Sequence, residues 1–201
     1  MAREKEKRKE ESGKLTRTRI STVMAPSGKG ANSTAMETQP LPATAVQTVK
    51  LTVNGKAYDI QVEPNWPLRD VLREKLGLIS LKDFCNGYGA CGSCTVIMDG
   101  RPVLSCMVLA VQCDGAVIET AEGIADVNHP LIEAYIMNWT AQCGYCTPGF
   151  LVTAKALLDR NPNPTVDEIK EALSGNLCRC GTYYTHIKAV QEAAKKLRER
   201  K

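Results

Sequence analysis

The chain has 201 residues, 43% of them hydrophobic, which is typical of a globular protein with one large or two small domains. Its formal net charge of +4 comes from residues 1–19, which hold eight basic and four acidic side chains, because residues 47–201 hold 17 of each. The equal numbers of basic and acidic residues in 47–201 argue against a phosphate-binding face, so we expect no nucleic-acid partner. No run of 18 apolar residues is present, so we expect no membrane span.

Residues 1–45 are predicted to form a disordered tail. They open with the mixed-charge run MAREKEKRKEE and continue with a stretch rich in Ser, Thr, Ala, Gly and Pro, and neither part can bury a hydrophobic face. The tail lacks the apolar segment of a secretory signal, and on that ground we expect a cytoplasmic protein.

Residues 46–122 are predicted to form a small α+β domain. β-Hairpins are expected around Asn54-Gly55 and Asp99-Gly100, because these dipeptides favour the type I′ turn of tight hairpins. Between the hairpins a helix is expected over residues 67–77, with Pro in its first turn and Gly as its stop. The segment AVIET, residues 116–120, is predicted to be a further strand.

In residues 123–201 the hydrophobic period changes from two to 3.6, which predicts helices. Four are expected, with starts near His129, Thr147, Thr165 and His186. Thr147 is predicted to cap the second of these helices, and Thr165 forms a capping box with Glu168 at the start of the third. Four short helices indicate a compact helical bundle.

Nine cysteines follow a regular spacing, C-x5-C-x2-C-x11-C, then one further cysteine, then C-x2-C-x31-C-x-C. Two sets of four with one left over indicate two metal sites. The first set is Cys85, Cys91, Cys94 and Cys106. The second set is Cys143, Cys146, Cys178 and Cys180.

The first set lies largely in the Gly-rich loop FCNGYGACGSC, whose backbone N–H groups can turn towards a negatively charged centre. Its spacing approximates the plant-type ferredoxin pattern C-x4-C-x2-C…C and predicts a [2Fe–2S] cluster. Cys113 is the remaining cysteine and is expected to be a free thiol, although it competes with Cys106 as the fourth ligand.

The second set allows two interpretations. Its cysteines lie in two turns that meet at one end of the predicted bundle, and four cysteines from two loops are also a usual ligand set for structural zinc. A C-x-C half is less usual for zinc, and the first set favours a second iron–sulfur cluster. No catalytic residue is expected, because His129 and His186 have no nearby nucleophile or carboxylate in a catalytic pattern.

Four stretches resemble the iron–sulfur subunit of the xanthine dehydrogenase family of molybdenum hydroxylases: CGSCTVIMDGRPVLSC, TAEG, QCGYCTPG and GNLCRCGTY. The resemblance covers residues 46–197. It implies an N-terminal β-grasp domain of the plant-type ferredoxin kind over residues 46–122 and a C-terminal four-helix bundle over residues 123–201. Each of the two domains is expected to hold one [2Fe–2S] cluster.

The resemblance also implies partners: a large subunit with molybdopterin and a medium subunit with FAD. Electrons are then expected to run from molybdenum through the bundle cluster and the ferredoxin cluster to FAD or another acceptor. Gln142 and Cys180 are expected near the molybdopterin, and the loop that contains Gly87 and Gly89 is expected to face the flavin or acceptor. This chain departs from the family in having five residues, not four, between its first two cysteines.

Two alternatives to the subunit hypothesis remain at this point. A stand-alone ferredoxin-like carrier would normally have an acidic docking face, whereas residues 47–201 carry equal numbers of basic and acidic side chains. A zinc-stabilised interaction module would have no redox function, and an iron-rich, brown protein would exclude it.

Overall fold

The computed structural model describes residues 46–200, so the predicted tail of residues 1–45 lies outside it. The strands are β1 (Gln47–Val53), β2 (Lys56–Val62), β3 (Thr95–Met98), β4 (Arg101–Leu104) and β5 (Val117–Glu119). The α-helices are α1 (Leu68–Asp70), α2 (Ala121–Asp126), α3 (Pro130–Met137), α4 (Thr147–Arg160), α5 (Val166–Leu173) and α6 (Tyr183–Glu199). Across the described range, no helix combines the length and apolar character needed to cross a membrane.

Both predicted hairpins are confirmed, and each turns on two residues with positive φ. Asn54 and Gly55 have φ of 50° and 78°, and Asp99 and Gly100 have φ of 50° and 77°. Left-handed backbone at both central positions defines the type I′ turn, whose twist matches that of the flanking strands. As a result β1 pairs with β2, and β3 with β4, in antiparallel register.

The five strands form one mixed sheet in the order β2-β1-β5-β3-β4. β5, which is the strand predicted over 116–120, lies parallel to β1 and antiparallel to β3. It therefore joins the two hairpins into a continuous sheet. A mixed sheet combined with helices is an α+β architecture, as predicted.

The helix predicted over 67–77 is confirmed, and it packs on the sheet. α1 begins directly after Pro67 and continues as a π-helical turn, Val71–Lys75, before the chain turns at Gly77 with φ of 69°. Its fully buried residues are Leu68, Val71 and Leu72. They share a hydrophobic core with buried residues of the first hairpin such as Val53.

α4 is the centre of the helical region. It contacts α3, α5 and α6, and it also packs against β3 and β4. The helical core accordingly includes Ile97 from β3 beside Phe150 and Ala154 from α4. The sheet and the helices therefore share one packed boundary, and this boundary fixes the position of the turn that precedes α4.

The helix predicted near Thr147 begins at that residue, but its predicted cap is wrong, and the last helix begins three residues earlier than predicted. Thr147 does not cap α4, because Cys146 already has helical angles (φ −82°, ψ −17°) and occupies the N-cap position. α6 begins at Tyr183 and not near His186, since the His186 N–H already donates to the carbonyl of Thr182. The capping box at the start of α5 is confirmed.

A half-buried carboxylate connects α2 to the loop that precedes Cys85. Glu122 accepts hydrogen bonds from Ser80 N–H at 2.9 Å, from Ser80 Oγ at 2.5 Å and from Thr120 Oγ1 at 2.6 Å. Burial raises the pKa of Glu122, but these hydrogen bonds outweigh burial and hold the pKa below its ordinary value. Glu122 therefore stabilises the fold in its ionised form.

We expect Glu122→Gln to lower the free energy of unfolding at neutral pH by about 1 kcal/mol, since an amide accepts hydrogen bonds at only one of its two positions and water screens the half-exposed group. The folded-state pKa is depressed, so this stabilisation is present above the unfolded value of 4.5 and is lost as the pH falls through the folded value. The difference in Tm from the unsubstituted chain should therefore narrow below about pH 4.5.

Thermal unfolding from neutral pH downwards measures this difference. The matched control is Glu63→Gln, an exposed carboxylate, which should change the free energy of unfolding by less than about 0.5 kcal/mol. A Tm difference for Glu122→Gln that stays constant or widens in acid contradicts the prediction.

Candidate metal centres

The first set of cysteines is assembled by the second hairpin. Three of its members lie in the loop between α1 and β3, and the fourth lies in a 3-10 turn that follows β4. Because β3 and β4 pair, Ser105 returns to the start of β3, where its N–H and its Oγ both donate to the Cys94 carbonyl at 3.4 and 2.6 Å. Cys106 is thereby brought beside Cys94.

The thiols of the first set meet as two pairs. Cys91 lies close enough to Cys85 to influence its ionisation, and Cys94 lies close enough to Cys106 to do the same. Burial, followed by the contact with Cys94, raises the pKa of Cys106 to about 12. Burial also raises the pKa of Cys85, but the N–H of Ala90 and the Cys91 thiol outweigh it, so the pKa of Cys85 lies below its ordinary value.

The second set is assembled by two turns at one end of the helical region. Cys143 and Cys146 lie in the turn before α4, and Cys178 and Cys180 lie in the loop between α5 and α6. α4 and α5 are joined by a short connection and run side by side, so the start of one lies near the end of the other. Cys180 lies close enough to Cys143 to influence its ionisation, and Cys178 lies close enough to Cys146 to do the same.

One pair of the second set is buried and the other is exposed. Cys146 and Cys178 are buried, whereas Cys143 and Cys180 face solvent. Burial and the neighbouring Cys178 raise the pKa of Cys146 to about 12. Burial also raises the pKa of Cys178, but hydrogen bonds from the side chain and backbone of Thr182 outweigh it and lower the pKa to about 7.

The donor set fits two-iron clusters. A [2Fe–2S] cluster takes four thiolates, two on each iron, and thiolates and sulfides only accept hydrogen bonds. Beside each set a buried hydroxyl, Ser93 Oγ and Thr147 Oγ1, has no hydrogen-bond partner within residues 46–200, so a donor remains available there. In the same range, no group of three or more His, Cys, Asp or Glu side chains is arranged to hold a single metal ion.

The two sets are in direct contact through the backbone. The Leu177 N–H donates to the Cys91 carbonyl at 2.9 Å, and Asn176 Nδ2 donates to the Gly92 carbonyl at 3.1 Å. Gly92 has φ of +71°, and a Cβ on it would lie 2.5 Å from Asn176 Nδ2 and 2.6 Å from the Gly175 carbonyl oxygen. Only glycine satisfies both the left-handed backbone and the close approach.

A second close approach lies at the start of α4. A Cβ on Gly149 would collide with the Gly92 carbonyl oxygen and would lie 3.1 Å from Ser93 Cα. Nearby, the rings of Phe84 and Tyr145 pack with their centroids 6.0 Å apart. Each of these two aromatic residues is the sequence neighbour of a cysteine, one from each set.

The residues predicted near partner cofactors lie at the edges of the two sets. Gln142 is exposed and directly precedes Cys143. Gly87 and Gly89 lie half-buried in the loop of the first set, and the Gly89 N–H is directed at the Cys106 sulfur.

Cys113 is buried in the core beneath the sheet. Its thiol donates to the Leu109 carbonyl at 3.5 Å, and burial, followed by the charge of Asp99, raises its pKa. Cys106, and not Cys113, is therefore the cysteine that contacts Cys94.

Sequence reasoning missed two side chains that reach the second set. Thr182 Oγ1 lies 3.1 Å from Cys178 Sγ and 3.2 Å from His186 Nε2. Thr182 is the N-cap of α6 and His186 follows four residues later, which places both side chains on one face at the start of that helix, and this spacing is the signal that could have linked them. His129 has a different role, since its Nδ1 caps α3 by accepting from the Leu131 N–H.

Two family models match adjacent parts of the chain. One, described as a 2Fe-2S iron-sulfur cluster binding domain, matches residues 51–121, and the other, described as a [2Fe-2S] binding domain, matches residues 120–191. Each match contains one of the two cysteine sets. The nicotinate dehydrogenase small FeS subunit of Eubacterium barkeri is 49% identical over 151 residues, which cover 74% of this chain and 96% of that protein.

The chain belongs to the iron–sulfur small subunits of the xanthine dehydrogenase family of molybdenum hydroxylases. The resemblance drawn from the motifs is confirmed, and the chain is an electron-transfer subunit of an oxidoreductase. This small subunit is also 45% identical over 157 residues to the nicotine 6-hydroxylase small subunit of Paenarthrobacter nicotinovorans, with 78% of this chain and 94% of that one covered.

Solved structures agree with this membership. Quinoline 2-oxidoreductase from Pseudomonas putida 86 matches with a TM-score of 0.72 and 42% identity over 77% of this chain and 97% of that chain. The aldehyde oxidoreductase of Desulfovibrio desulfuricans ATCC 27774 matches with a TM-score of 0.73 and 45% identity over 77% of this chain, but only 18% of that chain. The small subunit thus corresponds to a whole chain in the first and to part of a longer chain in the second.

We expect Gly149→Ala to lower the free energy of unfolding by about 1–3 kcal/mol, because the added Cβ collides with the backbone of Gly92, which cannot move without disturbing the contact between the two sets. Gly175→Ala is the matched control: its Cβ meets nothing within 4 Å, so the variant should be neutral or slightly stabilised. Thermal unfolding of the two variants in parallel measures the difference. Equal Tm values for both would contradict the close packing described here.

Proposed function

We propose that this small subunit holds two [2Fe–2S] clusters through its eight paired cysteines and passes electrons between two partner subunits. The observation that carries the proposal is that each of the two matches to a [2Fe–2S] binding domain contains one complete set of four cysteines. When bound, each cluster takes up and releases one electron, so two of them in series carry electrons across the subunit.

In the first set the proposed ligands are Cys85, Cys91, Cys94 and Cys106. The five-residue gap after Cys85 is compatible with this role because the backbone is left-handed at Asn86, Gly87 and Gly89, with φ of 53°, 80° and 69°. These turns take up the additional residue as a bulge and direct N–H groups at the sulfurs. Cys85 therefore keeps its position as a ligand.

In the second set the proposed ligands are Cys143, Cys146, Cys178 and Cys180. A structural zinc ion would require all four sulfurs at about 2.3 Å from one point. One buried pair and one exposed pair would suit two irons better, with Cys146 and Cys178 as ligands of one and Cys143 and Cys180 as ligands of the other. The family relationship supports the same choice.

The contact between the sets supports electron transfer inside the subunit. The Leu177 N–H···O=C Cys91 hydrogen bond connects a residue bonded to Cys178 with a proposed ligand of the first cluster. The Phe84–Tyr145 ring contact forms a second bridge between the two loops. An electron held at either cluster therefore has a short covalent and hydrogen-bonded path to the other.

We infer that the large, molybdopterin-binding subunit covers the exposed half of the second set. Cys180 faces solvent there, Gln142 is exposed and directly precedes Cys143, and the exposed Trp139 and Tyr184 lie four residues along the chain from Cys143 and Cys180. We infer that the medium, FAD-binding subunit covers the loop of the first set, where Tyr88 is 82% exposed. Aromatic side chains of this kind are enriched in protein interfaces.

We also propose the finer fold and domain boundaries. Residues 46–122 form a β-grasp domain, supported by a parallel β1–β5 pair between two hairpins with α1 packed across the sheet. Residues 123–201 form a four-helix bundle of α3 to α6, supported by the contacts of α4 with the other three helices and of α3 with α6. The cytoplasmic location stays a prediction.

We expect Cys178→Ser and Cys180→Ser each to remove the second cluster and to leave the first, because the two sets use separate ligands. The complex is purified through a tag on this chain, reduced with dithionite and examined by EPR and iron analysis. Each variant should lose one of two [2Fe–2S] signals and about half of the iron.

Cys113→Ala is the matched control for these variants. It removes a buried thiol that is in contact with neither set, so it should keep both signals and all of the iron. The ligand assignment is wrong if both signals persist in Cys178→Ser and Cys180→Ser, or if Cys113→Ala loses one.

A further inference from the structure

A network of hydrogen-bonded side chains leads from the second set into the core. Among the described residues, the first set has no such network. Thr182 Oγ1 lies between Cys178 Sγ, at 3.1 Å, and His186 Nε2, at 3.2 Å. All three side chains are buried, and His186 is fully inaccessible to solvent. Sulfurs of the first set are reached by backbone N–H groups and by each other, as at the Ser93 N–H···Sγ Cys91 contact of 3.5 Å.

The local structure holds this hydrogen-bond network in place. Thr182 is the N-cap residue of α6, and the His186 N–H donates to the Thr182 carbonyl at 3.3 Å, so the two side chains lie one helical turn apart on the same face. The His186 ring stacks on Phe150, with centroids 4.1 Å apart and planes within 6°, and it packs against Tyr135 at 5.4 Å. The ring therefore cannot turn away from Thr182 without losing both contacts.

The chemistry of an iron-bound thiolate determines which atom donates and which accepts in each hydrogen bond of this network. A bound thiolate only accepts hydrogen bonds, so the Thr182 hydroxyl must donate its proton to Cys178 Sγ. The hydroxyl oxygen then accepts from Nε2–H of His186, and this assigns the proton of the neutral ring to Nε2. The other ring nitrogen, Nδ1, has no hydrogen-bond partner within residues 46–200, which suits a bare lone pair better than a buried N–H donor.

A donor at a ligand sulfur favours the reduced cluster. Reduction adds one electron and moves no proton, and the extra negative charge is shared by the ligand sulfurs, so each hydrogen bond to them becomes stronger. A hydroxyl that itself accepts a hydrogen bond from an imidazole N–H is a better donor, because hydrogen bonds in series polarise one another. The hydrogen-bond network of Thr182 and His186 therefore favours uptake of an electron at the second cluster.

Resting on the proposed cluster assignment, we propose that the Thr182–His186 pair raises the reduction potential of the second cluster, with Thr182 donating to Cys178 Sγ and His186 acting as a positioning residue behind it. The pair distinguishes the two clusters within one chain. The reduction potential of the cluster in the helical region is thereby controlled by side chains that are not its ligands.

The test is an EPR-monitored redox titration of the complex purified with its partners, with dithionite as the one-electron reductant. Thr182→Val removes the hydroxyl but keeps the branched shape and the backbone N–H groups of the loop. At a fixed potential, the ratio of reduced to oxidised second cluster should fall about tenfold, which is a shift of about 59 mV for a one-electron couple. The first cluster is the internal reference and should not shift.

Two further variants separate the hydroxyl from packing. Thr182→Ser restores the hydroxyl and should recover the potential of the unsubstituted chain. His186→Phe keeps a flat ring against Phe150 but removes the N–H donor, so it should lower the potential in the same direction by a smaller factor. This variant also provides the test if Thr182→Val fails to assemble.

The outcomes are distinct. Unchanged potentials in Thr182→Val and His186→Phe, or equal shifts in Thr182→Val and Thr182→Ser, overturn the proposal while leaving the cluster assignment intact. If the unsubstituted complex has no second [2Fe–2S] signal, the assignment itself fails and this inference fails with it.

Discussion

The close approach of the two cysteine loops is the constraint on which the rest of the structure depends. Gly92 and Gly149 carry no side chain at the point where the loop of the first set meets the start of α4, and one Cβ at either position would strike backbone or a buried amide. The approach allows the Leu177–Cys91 hydrogen bond to form, and so it joins the two cysteine loops by a direct contact. Packing of α4 on β3 and β4 holds this geometry from the other side.

The second set is asymmetric, with one buried pair of cysteines and one exposed pair. Its buried pair, Cys146 and Cys178, faces the interior, where Thr182 and His186 control the hydrogen bonding of one sulfur. Its exposed pair, Cys143 and Cys180, lies at the surface, where we propose that the large partner subunit docks. On the proposals made above, the interior half sets the potential of the cluster and the surface half faces the partner.

The features that follow from local sequence were predictable. Asn54-Gly55 and Asp99-Gly100 determine their hairpins by turn chemistry alone, and Thr165 with Glu168 determines the start of α5. The grouping of the cysteines was also readable from spacing, because short gaps bring ligands into one loop. The match of two iron–sulfur family models and several small subunits confirms the family to which those motifs pointed.

The remaining features depend on contacts between distant segments. Thr147 reads as a helix cap, but the turn of the second set already brings Cys146 into helical geometry. The π-helical turn at Val71–Lys75 has the same apolar spacing as an α-helix, so the pattern cannot distinguish it. The environment of His186 follows from its stacking on Phe150, a residue 36 positions earlier in the chain, which no local pattern encodes.

The central claim is that the eight paired cysteines hold two [2Fe–2S] clusters in a molybdenum hydroxylase subunit. The most direct measurement is a metal analysis of the native complex, purified anaerobically through a tag on this chain, together with EPR after reduction. The account predicts about four irons per chain, two distinct [2Fe–2S] signals and co-purifying molybdenum. Zinc in place of iron in the second set, with one [2Fe–2S] signal, would contradict it.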